Sequence, residues 1–239
     1  MAQRNNRGLV FLSLFVTGVF LMPFISSCGK GGASKVGYNV QIQILNLSPD
    51  VHPVNLYVDF LKQNTTPYYY PNPSGYFYLN SIDTPLQIRS ASVTTTNLLS
   101  IDKNMVANHK YSLFITGLAS DSTITSIFTY DDTAAIPQPG FGKIRFVNAS
   151  LPNTALDVTA NGTLTSNFHN IAYKQISNYV QMPAGNYSFQ VTATATPGAA
   201  LSTLQNATIQ DGRLYTLYTY GIALHSDTSA FGMQLLINR

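Results

Sequence analysis

The side chains that most often carry chemistry are few and scattered in this sequence. Each histidine is more than 50 residues from the next, which excludes a local metal-binding motif; the four are His52, His109, His169 and His225. The chain has no Gly-x-Ser-x-Gly turn, HExxH motif or phosphate-binding glycine loop. All ten acidic residues are aspartates spread along the chain. We therefore predict a non-catalytic protein with no catalytic residue, no metal site and no cofactor.

A different chemistry is concentrated in TPYYYPNPSGYFYLN, residues 66–80. If Phe77 and Leu79 point into a core, the alternation of a strand points Tyr76 and Tyr78 outward. Tyrosine joins an apolar ring to a polar hydroxyl, which suits stacking on a sugar or contact with a protein. We predict a ligand or partner surface formed by Tyr68, Tyr69, Tyr70, Tyr76 and Tyr78. The alternative is that these rings pack against another part of the chain or cover a sheet edge.

The N-terminus is typical of a targeting segment. Arg4 and Arg7 precede an uncharged run from Leu9 to Phe24. As a helix this run would be about 24 Å long, whereas a bilayer core is about 30 Å thick. A basic head and a short apolar centre indicate a secretory signal peptide, residues 1–27.

Ile25-Ser26-Ser27-Cys28 follows this run and resembles the bacterial lipobox. The resemblance implies that Cys28 becomes the first mature residue and carries lipid, so that a membrane is a partner; the alternative is an ordinary signal peptide with an incidental cysteine. Because Cys28 is the only cysteine, no internal disulfide is possible.

A glycine-rich tether, residues 28–37, follows the lipobox and would span about 15–18 Å. Surface-export signals of the Bacteroidetes place acidic residues just after the cysteine, whereas this chain has Gly29, Lys30, Gly31 and Gly32. We expect anchoring to the outer membrane, with the periplasmic leaflet favoured over the cell surface.

The composition of the mature chain limits its partners and its secondary-structure class. Removing Arg4 and Arg7 with the signal leaves 11 basic and 10 acidic residues without a basic cluster, so we predict no nucleic-acid partner. Glutamate, a strong helix former, is absent, while strand-forming Thr, Tyr, Val, Ile and Phe are plentiful. The composition therefore predicts a nearly all-β chain.

An internal repeat divides this β region. IQILNLSPDVHPVNLYVDF, from Ile42, aligns with IRFVNASLPNTALDVTANG, from Ile144. We predict two domains, residues 38–136 and 141–239, joined by a proline-rich linker, residues 137–140, with the second able to fold alone. In this alignment Tyr76-Phe77-Tyr78 faces Ser177-Asn178-Tyr179, so the tyrosine segment does not recur.

Each repeat has about seven short runs of alternating polarity separated by turn residues. Val40-Gln41-Ile42-Gln43-Ile44 predicts a strand with one buried and one wet face. The pattern favours tandem antiparallel β-sandwiches, immunoglobulin-like or transthyretin-like. Asn46 and Asn148, equivalent in the two repeats, are predicted to bond turn backbone, and Gly185 is predicted to require a positive φ.

The second repeat also resembles a known family. YVQMPAGNYSFQV, which contains Met182-Pro183-Ala184-Gly185-Asn186-Tyr187, and LYTLYTYG are similar to domain-of-unknown-function family 4397, common in lipid-anchored and surface proteins of Bacteroidetes. The first repeat keeps ILNLSPDVHPVNLYVDF but lacks the Pro-Ala-Gly turn, so it is a divergent copy. The resemblance implies β-sandwiches and an extracytoplasmic location but no activity.

Together these features predict a lipid-anchored binding or scaffold protein of the cell envelope, whose partner is an unknown envelope protein or glycan. One alternative is a fimbrillin-like assembly subunit, which requires a displaceable strand and a processing site such as Lys35. The other is an accessory lipoprotein that captures glycans. An enzyme is the least favoured class.

Overall fold

The computed structural model describes residues 39–79, 82–92, 94–152, 154–164 and 166–239. The predicted signal peptide, Cys28 and nearly all of the tether lie outside these ranges. No helix within them is long and apolar enough to cross a membrane.

The first repeat contains eight strands: β1 Val40–Asn46, β2 Val54–Val58, β3 Leu61–Lys62, β4 Phe77–Leu79, β5 Leu86–Ser90, β6 Asn97–Ile101, β7 Lys110–Thr116 and β8 Thr125–Tyr130. The second contains another eight: β9 Phe141–Asn148, β10 Leu156–Ala160, β11 Thr163–Leu164, β12 Val180–Pro183, β13 Gly185–Ala193, β14 Ala200–Ile209, β15 Leu214–Tyr220 and β16 Gly232–Ile237. A 3-10 helix, Ser166–Phe168, follows β11.

The two repeats have the same topology. In the first, the sheets have strand orders β4-β1-β7-β8 and β3-β2-β5-β6; in the second, β12-β9-β15-β16 and β11-β10-β13-β14. The all-β prediction is confirmed. The described residues of each repeat form eight strands, close to the roughly seven runs expected. One detail differs from the antiparallel prediction: β1 pairs with β7, and β9 with β15, in parallel.

Each repeat is a sandwich of its two sheets around a separate apolar core. In the first, Ile42 of β1 and Leu56 of β2 lie in one cluster although their strands belong to different sheets. In the second, Ile144 of β9 and Val191 of β13 are joined in the same way. Burial of these alternating side chains provides the main favourable contribution to folding, since no disulfide assists it.

A third apolar cluster joins the two sandwiches to each other. We call it the inter-sandwich interface; its buried members are Leu45, Leu47, Phe114, Ile127, Val147, Ala149, Tyr218 and Leu236. Six of them project from the sheet faces that do not line either core, and Leu47 and Ala149 directly follow β1 and β9. The sheets of β1 and β9 therefore each pack on both sides. The predicted domain boundaries remain a prediction, because this interface couples the sandwiches that they separate.

The interface overturns the expectation that the polar face of β1 is wet. Gln43 is buried, and its amide nitrogen donates to Ser112 Oγ at 2.7 Å. At the equivalent position of the second sandwich, Arg145 is buried and its Nε donates to Thr216 Oγ1 at 2.9 Å. The alternation correctly predicts a strand with an apolar face and a polar face, but the polar face packs against the other sandwich instead of meeting water.

A buried ion pair lies in this interface. The Arg145 guanidinium of β9 bonds the carboxylate of Asp131, which directly follows β8. Asp131 also accepts hydrogen bonds from Thr129 Oγ1 at 2.7 Å and from Ser112 Oγ at 2.5 Å. These bonds satisfy the carboxylate away from water, a condition for a buried charge to be tolerated.

Local predictions for the strand ends are partly confirmed. Asn46 Oδ1 accepts the backbone N–H of Ser48 at 3.4 Å, and Asn148 Oδ1 accepts that of Ser150 at 3.3 Å, as predicted for turn-capping amides. The prediction for Gly185 is wrong: this residue begins β13 and has no positive φ, and the bend between β12 and β13 lies at Ala184.

Candidate ligand-binding groove

Strand pairing corrects the alignment of the tyrosine segment. Phe77 pairs with Ile42, and Val180 pairs with Ile144, the residue equivalent to Ile42. Phe77 and Val180 are therefore equivalent positions, and so are the tyrosines that precede them, Tyr76 and Tyr179. The sequence alignment was displaced by two residues here, because loop lengths between the shared motifs differ, and it missed that this tyrosine recurs.

Tyr76 does not face outward as predicted. Its hydroxyl donates to Asp131 Oδ2 at 2.7 Å and accepts from Asn238 Nδ2 at 3.0 Å, so it bridges the two sandwiches. Burial, with the Asp131 charge second, raises the pKa of Tyr76 well above its ordinary value. Tyr179 points to the same place, and its hydroxyl donates to the Asp131 carbonyl at 3.3 Å. Both tyrosines are therefore structural parts of the interface.

Two other tyrosines of the segment also pack inside the protein. Tyr68 stacks on Phe77 with ring centroids 6.0 Å apart and lies against the first core. Tyr70 meets Tyr220 of the second sandwich edge-on at 6.1 Å. Burial, together with the nearby Tyr220 and Asp227, raises the pKa of Tyr70 to about 12. The alternative interpretation, packing against the other repeat, thus describes Tyr70 and Tyr76.

The remaining two tyrosines present their rings to solvent. Tyr69 is 54% exposed and Tyr78 is 65% exposed. Tyr78 lies on β4, the edge strand of its sheet, and flanks a groove of about 360 Å³. The predicted contact surface is therefore divided: Tyr69 and Tyr78 are available to a ligand, and whether they bind one remains a prediction.

The groove runs between the neighbouring edges of the two sheets of the first sandwich. Its lining is aromatic, hydroxyl or amide, with no charged side chain: Gln63, Asn64, Thr65, Thr66, Tyr68, Ser74, Phe77 and Tyr78. Asn64 is occupied internally, since its Oδ1 accepts the Leu56 N–H and its Nδ2 donates to Asn55 Oδ1, each at 2.9 Å. Asn64 therefore holds this side of the groove in place. The exposed ring of Tyr78 and the hydroxyl groups of the lining are suited to contact a neutral, hydroxyl-bearing ligand.

The equivalent edge of the second sandwich is arranged differently. Tyr78 pairs with Gln41 of β1, and Gln181 pairs with Lys143, the equivalent residue of β9. Gln181 therefore stands where the first sandwich has Tyr78. The Gln181 side chain exchanges two hydrogen bonds with Gln138 of the linker. The linker therefore covers in the second repeat the position that is bare in the first.

A second hollow, of about 260 Å³, adjoins the other side of Tyr78 and is polar. In it His109 Nδ1 lies 3.1 Å from Asp132 Oδ1, and Lys110 is also part of the lining. Two comparable pairs occur elsewhere among the described residues, His169 with Asp157 at 3.0 Å and His225 with Asp227 at 3.7 Å.

Within the described ranges, no three side chains of His, Cys, Asp or Glu come together as they would around a metal ion. The expected lack of a metal site or cofactor remains a prediction.

Comparison with known proteins places this architecture in a family. A family model described as a domain of unknown function, DUF4397, matches residues 40–158 and 142–236. The chain belongs to the DUF4397 family. The two DUF4397 matches begin at or just inside the first strand of each sandwich, as expected for tandem copies.

Other comparisons add little to the DUF4397 assignment. A solved structure of a candidate cell adhesion protein from Bacteroides eggerthii matches with 10% identity, covering 86% of this chain and 97% of that one. Its TM-score is 0.22, which supports no inference about the present chain. A search of curated proteins found no match.

Proposed function

We propose that this DUF4397 protein is a non-catalytic, lipid-anchored binding protein of the cell envelope, and that the groove beside Tyr78 holds its ligand. The observation that carries the proposal is the uncharged groove with an exposed tyrosine, at an edge that the linker covers in the second sandwich. Aromatic rings stack on the apolar faces of sugars, and hydroxyl and amide groups bond sugar hydroxyls. The proposed ligand is a neutral glycan.

The first test separates the exposed tyrosines from the packed ones. We expect Tyr69→Ala with Tyr78→Ala in residues 29–239 to abolish binding on a glycan array. Thermal stability should change little, since an exposed substitution alters the free energy of unfolding by about 0.5 kcal/mol or less. The measurements are array fluorescence, titration calorimetry with the glycan recovered, and the melting temperature.

The matched control is Tyr70→Ala with Tyr76→Ala. These rings support the inter-sandwich interface, so we expect a lower melting temperature from this pair. If the Tyr69 and Tyr78 variant binds as well as the parent chain, the groove is not the site. An intact chain that binds no glycan on the array contradicts the proposed ligand class.

The anchor is tested at Cys28. We expect Cys28→Ala to leave a chain without acyl groups that separates from membranes, since two or more acyl chains are needed for stable anchoring. The measurement is labelling with radioactive palmitate followed by membrane fractionation. Labelling and membrane partition that persist in the variant would contradict the lipoprotein assignment.

The position of β1 favours a binding protein over a fimbrillin-like subunit. A subunit that assembles by strand exchange must release a strand, and β1 lies between β4 and β7 in the middle of its sheet. Ile44 of β1 belongs to the first core and Leu45 to the inter-sandwich interface. Releasing β1 would expose both, which makes it a poor candidate for displacement.

A further inference from the structure

One end of the molecule, which we call the proximal end, is the end where the described chain begins. Val40 starts β1 and pairs with Leu79, and the next residue, Gln41, pairs with Lys110 at the start of β7. The β2–β3 hairpin turn, residues 82–85 before β5 and the loop before β7 all lie at this end, because their strands start or finish there.

The second sandwich is aligned the same way. Lys110 Nζ at the start of β7 donates to the Asn238 carbonyl beyond β16 at 3.4 Å. At the opposite, distal end, Thr116 Oγ1 at the finish of β7 donates to the Ala149 carbonyl just after β9 at 2.6 Å. Both sandwiches therefore share one proximal and one distal end.

Exposed apolar side chains are concentrated at the proximal end. Of the ten large apolar residues exposed in the described ranges, seven lie there: Phe60, Leu61, Tyr78, Val106, Tyr130, Ile136 and Ile237. Three lie elsewhere: Tyr69, Ile176 and Leu224. Scattered exposed residues need no explanation, but a concentration at one end of a molecule indicates an interaction surface.

The most prominent apolar feature is the β2–β3 turn. Asp59 and Phe60 both have a positive φ, 46° and 64°, and Phe60 and the following Leu61 are 61% and 69% exposed. The equivalent turn of the second sandwich is Asn161-Gly162, residue types that tolerate this geometry. A bulky residue at positive φ is strained, and such strain clusters at functional positions.

Charge distinguishes the two ends as well. Lys62 follows the turn, and the Arg89 guanidinium carbon lies 5.8 Å from the centre of the Phe60 ring. The proximal end holds both signs: six basic residues, Lys62, Lys103, Lys110, Lys143, Arg213 and Arg239, and five aspartates, Asp59, Asp83, Asp102, Asp132 and Asp211. The distal loops hold three aspartates, Asp50, Asp121 and Asp227, and one lysine, Lys174. An anionic surface would therefore meet the proximal end more favourably than the distal one.

We infer that the proximal end lies on the lipid bilayer, with the Phe60-Leu61 turn inserted at the headgroup level. The inference rests on the proposed anchoring of the chain through Cys28. Only ten residues separate Cys28 from Asn39, and the chain enters the described fold at the proximal end, so the surface that reaches the membrane is the one that carries the apolar turn. The groove beside Tyr78 then opens close to the membrane.

Site-specific quenching tests this orientation. In the acylated chain Cys28 is blocked, so a thiol-reactive fluorophore labels only an introduced cysteine. The test variant is Leu61→Cys. The distal control is Leu224→Cys, at a residue that is 98% exposed. Each protein is reconstituted in vesicles of phosphatidylethanolamine and phosphatidylglycerol with or without a lipid quencher near the headgroup. We expect quenching at least roughly threefold stronger at position 61 than at position 224, since an inserted turn lies within the headgroup layer.

A second comparison isolates the turn. Phe60→Gly with Leu61→Thr installs the residues of the second sandwich, and a label at Val106→Cys reports the same end. We expect this variant to melt no lower than the parent chain, since glycine relieves the strained φ, and to lose most of the quenching at position 106. Unchanged quenching at position 106 would show that the turn does not hold this end on the lipid.

Two outcomes overturn the inference. One is equal quenching at positions 61 and 224. The other is a response at position 61 that requires envelope proteins in the vesicles, which would assign the turn to a protein partner. Mass spectrometry of the peptide that contains Cys28 shows whether it carries acyl chains, which distinguishes these results from failure of the proposed anchor. If the peptide carries no acyl chain, the same comparison is made with an N-terminal hexahistidine tag on residues 29–239 and a nickel-chelating lipid.

Discussion

Asp131→Asn should lower the free energy of unfolding by about 3–5 kcal/mol, the usual cost of leaving one member of a buried ion pair without its counter-charge. The Arg145 guanidinium would remain in the inter-sandwich interface, where its side chain is only 6% exposed. Urea denaturation followed by tyrosine fluorescence and far-ultraviolet circular dichroism measures the loss.

The protein supplies the matched control within its own fold. Gln43 occupies in the first sandwich the position of Arg145, and Asn238 occupies in the second the position of Asp131. Arg145→Gln alone should cost about as much as Asp131→Asn, because it leaves the carboxylate buried and uncompensated. The double variant, Asp131→Asn with Arg145→Gln, should recover most of the loss. Additive losses would mean that the two charges contribute independently and that the buried pair is not the stabilising unit.

Phe114→Ala should cost about 3–5 kcal/mol, the range for removing a fully buried aromatic side chain. Phe114 is 0% exposed and belongs to neither sandwich core. It contacts Tyr218, the residue at its equivalent position, with ring centroids 5.8 Å apart. Because the lost contacts join the sandwiches, both should be destabilised together in a single transition. The measurement is differential scanning calorimetry of the chain and the variant.

Tyr218→Phe is the control for this experiment, because it keeps the ring and removes only the hydroxyl that donates to Gln234 Oε1 at 2.6 Å. It should cost about 0.5–1.5 kcal/mol. Two separated transitions in the Phe114 variant would show that the sandwiches fold independently. That result would favour the sequence prediction that residues 141–239 fold alone. Otherwise this fragment, with Val147 and Leu236 uncovered, should self-associate on gel filtration.

Several properties followed from the sequence alone because they depend on local chemistry. Strand-forming composition and alternation predicted the all-β class, and repeated motifs predicted the duplicated pattern of strands. Tyr111 and Tyr215 begin the similar runs YSLFITG and YTLYTYG of the two repeats, and the structure gives them one role. Each pairs with the equivalent isoleucine, and each hydroxyl accepts the backbone N–H of the residue five positions earlier, at 2.7 and 2.9 Å.

Only the tertiary structure decided which polar faces meet water. A strand whose polar side packs against another polar surface has the same alternation as a strand whose polar side is solvated, so Gln43 could not be distinguished from an exposed residue. Tyr76 and Tyr78 illustrate the same limit, since both leave the core face but one reaches Asp131 and the other reaches solvent. Their difference depends on where the second sandwich docks. That docking arises from side chains that are far apart in sequence, which local patterns do not encode.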